Sequence, residues 1–472
     1  MANFHPVTPE IAEQLKAIVG EKRFQYGDKV KEDYSHDEMP IYGKFYPEAV
    51  CEVESTEEVS AIMKICHEYG IPVTPRGSGT SLTGASVPVH GGVVVCTARM
   101  NKILSYDIPN MAVTLQPGVL LQDLAADVDK HGMYYPPDPG SKTSSVGGNI
   151  ATNAGGMRAV KYGATRDYVL ALTVVLADGQ IMEIGKTVMK SSTGYSLLHL
   201  MVGSEGTLGI ITEMTMKLVP KPSMNVSILL PFETVEACIA TVPKIRIANL
   251  DPQSIEFMDD DIVRSSTAFT GKQLFPTMYN GKEVKASILV TFVGESEDDL
   301  YDRMEKLDAL AAEHGAIDTL VIDTPTLKTD VWAARSAFLT SIEGDAKFLD
   351  EIDVVVPVDQ IASYLGFVYE VGRDVGLTVR NFGHAGDGNL HIYTCSNEVE
   401  LDEFWRRNNE FMARCYTECK RIGGQLSGEH GIGSAKMQYL EESVGTVALN
   451  MMKAIKSVFD PKGILNPGKV CS

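Results

Sequence analysis

The 472 residues are too many for one core, and with 44% apolar residues they are expected to bury two or three. A formal net charge of −20 excludes nucleic acid or an anionic membrane as the principal partner, and obliges any anionic substrate to find a local cation. No apolar run approaches the roughly 18 residues of a membrane span, and Met1–Glu10 lacks the basic-then-apolar pattern of a secretory signal, so a cytoplasmic protein with eight reduced cysteines is expected.

The first 35 or so residues read as helical, with a charged stretch around Gly20–Lys31. From Ala49 to about Val219 short strands, amphipathic helices and many glycines alternate. Ser55-Thr56-Glu57-Glu58 reads as a capping box, followed by Val59, Ile62, Met63 and Cys66 at helical spacing. Tyr69-Gly70 ends that helix and Ile71-Pro72-Val73 starts a strand, with further strands expected over 92–97, 112–116 and 170–176.

After the first of these strands comes Pro75-Arg76-Gly77-Ser78-Gly79-Thr80-Ser81-Leu82-Thr83-Gly84. Glycines let backbone N–H groups turn toward an anion, and the hydroxyls add donors. A Rossmann loop would open directly into a helix; this one runs through Ala85-Ser86-Val87-Pro88 toward another strand, and no Gly-Lys-Ser/Thr closes it as in a P-loop. Two more small-residue loops follow, at 136–156 and 203–212. One such loop is as readily a surface turn, but three fit a long ligand of dinucleotide size threaded through one domain.

Pro220-Lys221-Pro222 breaks the chain at a domain boundary. Beyond it, a strand at 226–230, a helix near 235–248, a strand at 287–293 and a helix near 298–314 predict an α+β sheet domain. The glycine-rich tail from about Gly423 resembles the first domain in composition, which predicts its return there.

Three of the ten histidines fall in two glycine-flanked segments, 381–391 and 427–433. Asp387-Gly388 is a two-residue hairpin signal. With those residues in the turn, 386 faces 389, 385 faces 390, and His384 faces His391, bringing two imidazoles together on one face. They can then share a divalent ion, with Glu429 a third ligand, leaving coordination open for a substrate. The competing reading is that they are ordinary hydrogen-bonded core histidines. No iron–sulfur ligand set is visible in the sequence.

The glycine-rich segments closely resemble the FAD-linked oxidase branch of the vanillyl-alcohol oxidase superfamily, over about Ala49 to Lys469. The resemblance implies an α+β protein: a non-Rossmann FAD-binding domain at 1–220, including the N-terminal helical segment, an α+β substrate or cap domain at 221–424, and a segment 425–472 completing the first domain. It assigns FAD contacts to Pro75, Arg76, Gly77, Ser78, Gly79, Thr80, Ser81 and Gly84; to Pro137, Asp138, Gly140, Ser141, Ser144, Gly147, Gly148, Asn149, Thr152 and Gly155; and to Gly206, Gly209, Ile210, Ile211 and Asn466. Some relatives attach FAD through a histidine of the first loop; this loop has none, so noncovalent FAD is expected.

The resemblance also matches His384, His391 and Glu429 to metal ligands (Zn, Fe or Mn), His430 to a catalytic base and Arg335 to a substrate-carboxylate arginine. The implied reaction oxidises a small D-2-hydroxy acid with hydride transfer to flavin N5. The branch acting on 2-hydroxyglutarate carries a lysine where this chain has the acidic Asp350-Glu351-Ile352-Asp353, and an asparagine where it has Tyr393. Both departures favour D-lactate, or glycolate as for a glycolate oxidase catalytic subunit. The alternatives are a non-redox flavoenzyme of the same fold, which would not require the full His-His-Glu-His set, and a non-catalytic flavin subunit, which would be expected to lose it. With no Rossmann motif for NAD, the electrons are expected to pass to a soluble partner, an electron-transferring flavoprotein or an iron–sulfur subunit.

Overall fold

A computed structural model describes residues 4–472, which fall into two units. The first comprises the chain up to Gly155, Ala164–Lys221 and Glu429–Ser472; the second comprises Gly156–Gly163 and Pro222–Gly428. The tail enters the first unit at Glu429. Gln425 is held back by Val355, its amide donating to the Val355 carbonyl at 2.7 Å.

In the first unit α1 (Pro9–Val19) is capped by Thr8 and stopped by Gly20 at φ 80°. The helical expectation for the first 35 residues fails beyond that point: β1 (Phe24–Tyr26) is an extended edge paired with β2 (Ala49–Glu52). The helix α2 (Thr56–Tyr69) starts on Ser55, whose hydroxyl accepts from the Glu58 amide at 3.2 Å, and ends on left-handed Gly70. The reciprocal half of the expected capping box is absent, because the Glu58 carboxylate takes the Glu54 amide at 2.8 Å and pairs with Arg23 instead.

Strands β3 (Val73–Arg76) and β4 (Val93–Cys96) complete a sheet in the order β1-β2-β4-β3. Its core joins Leu15, Ile62, Met63, Val73 and Val95 to Ile464 and Leu465 of the tail. A second sheet holds β5 (Ile103–Asp107), β6 (Ala112–Leu115), β7 (Val169–Val175), β8 (Ile181–Gly185) and β9 (Ile210–Lys217), in the order β5-β6-β9-β7-β8. The short helix α3 (Val146–Thr152) lies between the second and third strands of that set in sequence.

The second unit is built on a seven-stranded antiparallel sheet. Its strands are β10 (Met224–Phe232), β11 (Ser254–Asp259), β12 (Ala286–Gly294), β13 (Leu320–Ile322), β14 (Phe348–Val355), β15 (Thr378–His384) and β16 (Asn389–Ser396), in the spatial order β13-β10-β12-β11-β15-β16-β14. β12 is buried almost throughout, so it reads as a near-continuous apolar run rather than an alternating one. On one face Leu229, Met258, Leu289, Phe382 and Tyr393 pack with Val331, Phe338 and Ile342. Strand alternation then puts Glu256, His384, His391 and Glu351 on that same face, and these polar residues are buried. Among the described residues no helix is long and apolar enough to cross a membrane, and all eight cysteines are free.

Candidate active site

The three glycine-rich loops of the first unit interlock. A Cβ on Gly77 would collide with Ser145 Oγ, and the Ser145 amide donates to Ser78 Oγ at 3.0 Å, so the first and second loops meet with no space for a side chain between them. Arg76 braces the first loop from behind: its guanidinium donates to the carbonyls of Asp33 (2.7 Å) and His36 (2.9 Å). The Arg76 guanidinium is thus engaged by the protein's own carbonyls.

In the second loop Pro137 precedes Asp138, which pairs with Lys142, and Ser144 Oγ donates to the Ser141 carbonyl at 2.8 Å. Ser145 then caps α3, accepting from the Gly148 amide, and Thr152 Oγ1 donates back to the Gly148 carbonyl. Gly140 has open space where a side chain would stand, whereas Gly147 lies against Pro117 and Gly155 against Glu429. Asn149 is 5% exposed and its Nδ2 has no hydrogen-bond partner. In the third loop Gly206 turns over Pro75 and Gly209 packs on Val174, while Ile210 and Ile211 open β9 in register with Val175 and Val174. Asn466 joins the first and third loops, its Nδ2 donating to the carbonyls of Ala85 (2.9 Å) and Glu205 (2.7 Å). Its own Oδ1 is buried without a partner. Unpaired buried polar atoms are costly. Two of them beside a glycine-lined cradle fit a polar ligand the length of a dinucleotide, and FAD meets that description.

The segment that enters this unit carries Glu429 and His430, with His430 Nε2 3.7 Å from Glu429 Oε1. The His430 carbonyl accepts from Thr83 Oγ1 at 3.3 Å. The next amides, Ile432 and Gly433, donate to the two carboxylate oxygens of Glu205 at 2.7 and 2.8 Å.

On the second unit's sheet the expected hairpin register is corrected. Ala385–Gly388 form a four-residue turn, so that His384 pairs with Asn389 and Phe382 with His391. A two-residue turn fails because the Asp387 and Gly388 amides fold back on the His384 carbonyl, and the Gly386 amide donates to Ile255. The shift is two residues, which preserves the face. His384 and His391 thus meet diagonally, ring centroids 5.2 Å apart and nearly perpendicular.

A buried carboxylate lies beside each imidazole. Glu256, on β11, reaches His384 Nδ1 with its two oxygens at 2.8 and 3.0 Å, which orients the ring through that nitrogen. The same carboxylate accepts from Arg335 at 2.7 Å. Burial alone would raise Glu256, but His384 and Arg335 together hold it below the usual carboxylate range. Arg335 lies over the Phe382 ring at 4.7 Å, and its Nε is buried without a partner. Glu351 Oε1 lies 3.3 Å from His391 Nδ1 and accepts from the Tyr393 hydroxyl at 2.8 Å. Asp353, opposite His391 in the β14–β16 register, accepts from Ser427 Oγ (2.7 Å) and the Gly428 amide (3.0 Å), and its other oxygen takes Asn389 Nδ2 at 2.7 Å. The donor set around the two histidines is nitrogen and carboxylate oxygen, which suits Zn, Fe or Mn.

Sequence reasoning gave no role to Glu256 or Glu205, and read Glu351 and Asp353 only as an acidic stretch, not as partners of His391 and of Gly428. The one available signal was an acid inside an otherwise strand-like run, as in Ser254-Ile255-Glu256-Phe257-Met258.

Comparison with known proteins agrees with this architecture. Residues 47–185 match a family model described as an FAD binding domain, and residues 221–470 match the C-terminal domain of FAD linked oxidases. The chain is 53% identical over 468 residues to a D-lactate dehydrogenase of Anaerostipes hadrus, covering 99% of this chain and 98% of the relative. It is 38% identical over 467 residues to glycolate oxidase subunit GlcD of Bacillus subtilis, covering 98% and 97%. Among solved structures, p-cresol methylhydroxylase with substrate bound superposes with a TM-score of 0.80 at 18% identity, covering 97% of this chain and 95% of that one, which establishes the α+β vanillyl-alcohol oxidase type of fold.

Proposed function

The chain belongs to the FAD-linked oxidase family and is an FAD-dependent oxidoreductase; from that premise we propose that it oxidises a small D-2-hydroxy acid, D-lactate first, to the 2-oxo acid. The observation that carries the reading is the pair of diagonal histidines on one buried sheet face, each with a carboxylate at Nδ1. Two imidazoles facing each other, each backed by a buried carboxylate, is the arrangement by which metal-ligating histidines are oriented.

In this reading His384 and His391 hold a divalent metal with Glu429. Covalent continuity supports the third ligand. Glu429 follows directly on Gly428, whose amide Asp353 grips across from His391. Arg335 has one arm satisfied by Glu256 and a buried Nε still unpartnered, a donor for the substrate carboxylate. His430 takes the hydroxyl proton, since an imidazole titrates near neutrality and suits general-base work. When bound, the flavin supplies the hydride acceptor and the metal supplies Lewis acidity at the hydroxyl. The three loops of the first unit hold FAD without a covalent link.

A monocarboxylate fits better than a diacid, because a second carboxylate in this neighbourhood would meet Glu351. The relatives named D-lactate dehydrogenase and glycolate oxidase subunit GlcD support the same substrate size. The first loop runs to a strand rather than opening a helix, so it is not a nicotinamide-dinucleotide loop of the Rossmann kind. The electrons then go to a protein partner, an electron-transferring flavoprotein or an iron–sulfur subunit.

Anaerobic titration of the holoenzyme with D-lactate, glycolate and D-2-hydroxyglutarate tests the assignment. D-lactate is expected to bleach the flavin at the lowest concentration. Bleaching by glycolate alone would make it a glycolate-oxidising subunit, and bleaching by none of the three would overturn the reading.

A further inference from the structure

Glu205 lies in the third glycine-rich loop, and its three polar groups go to three different segments of the first unit. Its amide donates to the Ala151 carbonyl at 2.8 Å, at the end of α3 in the second loop. Its carbonyl accepts from Asn466 Nδ2 at 2.7 Å. Its carboxylate, in a side chain 5% exposed overall as a residue, takes the Ile432 and Gly433 amides at 2.7 and 2.8 Å. The backbone is left-handed at φ 50°, a conformation that a side chain with a Cβ adopts at a cost and that persists where its surroundings dictate it.

The segment it grips is the one that carries His430. Thr83, from the first loop, holds the same segment: its Oγ1 donates to the His430 carbonyl at 3.3 Å, and its carbonyl accepts from the Ser434 and Ala435 amides at 3.0 and 3.1 Å. Gly431 and Gly433 have no room for a Cβ, the first against the Glu205 carboxylate and the second against Thr83. The path of the chain just after His430 is therefore set by two residues of the glycine-rich loops, and on one side by a single carboxylate.

We propose that Glu205 is a positioning residue that fixes the place of His430 and couples it to the ordering of the flavin-binding loops. This rests on the reading of His430 as the base. Two amides aimed at one carboxylate are charge-assisted and geometrically specific. A glutamine of the same size offers one acceptor, while its NH2 opposes the second amide. A carboxylate is thus required, and size alone does not suffice. Because the coupling runs through shared bonds it is reciprocal: closing the loops around a dinucleotide stiffens the His430 segment, and loosening that segment weakens the loops.

The test compares wild type with Glu205→Gln and Glu205→Asp, each purified with FAD. Flavin content and thermal midpoint are measured first, then the rate of anaerobic flavin reduction at saturating D-lactate, and amide hydrogen exchange over 430–435. In Glu205→Gln the limiting reduction rate is expected to fall about 10²-fold, the cost of an ångström-scale misplacement. Substrate half-saturation should change little, flavin affinity should fall by much less than the rate, and exchange should rise over 430–435 with no rise in β3 and β4. Glu205→Asp keeps both acceptor oxygens and should recover part of the rate. The proposal is overturned if Glu205→Gln reduces its flavin at the wild-type rate, or loses rate only in proportion to lost FAD. If no 2-hydroxy acid reduces the wild type, the base assignment itself falls, and the exchange measurement still decides the coupling: unchanged protection over 430–435 in Glu205→Gln overturns it.

Discussion

The Tyr393 hydroxyl donates to Glu351 Oε1 at 2.8 Å, and that same oxygen lies 3.3 Å from His391 Nδ1. Burial, and then the Glu351 charge, push Tyr393 well above the ordinary phenol range, so it stays a donor at any working pH. Two features that look independent in the sequence, an acidic stretch at 350–353 and a tyrosine just after the second histidine, are one contact.

The contact predicts substrate size. A second carboxylate placed near His391 would face a negative oxygen whose hydroxyl partner is already committed. Glu351→Gln removes the charge and keeps the shape. The ratio of kcat/KM for D-2-hydroxyglutarate to that for D-lactate is expected to rise by at least about tenfold, equivalent to about 1.4 kcal/mol of relieved repulsion. Steady-state kinetics on the two acids measure it, and an unchanged ratio removes Glu351 from substrate selection.

Glu256→Gln separates metal binding from fold stability. At the proposed site the variant should bind a divalent metal about 10- to 100-fold more weakly, because the orienting carboxylate behind His384 is gone. It should also lose roughly 3–5 kcal/mol of stability, since Arg335 is left buried without its counter-ion. The double variant Glu256→Gln/Arg335→Met should regain most of the stability and none of the metal affinity. Chelator competition and chemical unfolding, run on all three proteins, read the two effects apart.

His430→Ala should slow flavin reduction by D-lactate by about 10²- to 10⁴-fold, the usual contribution of a positioned general base. The contacts that join the loops to one another run through Gly77, Ser78, Ser145 and Asn466, so FAD content should be unaltered. Rapid-mixing absorbance under anaerobic conditions is the measurement. Reduction at near the wild-type rate would reassign the proton to another group.

Asp259 predicts a pH dependence of stability. It caps the helix that follows it through the Ile262 amide, and also accepts from the Tyr369 hydroxyl and the Asn381 amide. Burial pushes its carboxyl up to about 7 from an ordinary 3.8. Between those values the folded chain keeps a proton that the unfolded chain has released. Its contribution is therefore fully present below about pH 4 and is lost as pH rises through about 7. Unfolding midpoints measured from pH 4 to 8 should fall less steeply in Asp259→Asn than in wild type. Parallel slopes would show that Asp259 ionises normally.

How much could be read from the sequence depended on range. The glycine-rich loops were legible because each is a short contiguous motif whose meaning lies in local backbone freedom. The two histidines could be placed on one face because strand alternation has a period of two, and even a register wrong by two residues keeps that parity. The partners of those histidines were not legible. Glu256 meets His384 across 128 residues and Arg335 across 79, and no local pattern encodes a pairing at that distance. The four-residue turn was missed for the same reason: the Gly386 amide answers to Ile255 on a neighbouring strand, which Asp387-Gly388 alone does not reveal.

The docking of Ile464–Asn466 against Val73 bears on the order of events during synthesis. The Val73 amide donates to the Ile464 carbonyl at 2.8 Å, and the Asn466 amide donates to the Val73 carbonyl at 2.7 Å. A ribosome must therefore release the chain through Asn466 before the nucleotide cradle can seal, whereas Pro222–Gly428 emerges as a single stretch and is free to fold earlier. Loading of the flavin is in consequence a late step of biogenesis, and nascent chains halted before residue 464 should carry a formed seven-stranded sheet and an unsealed first unit.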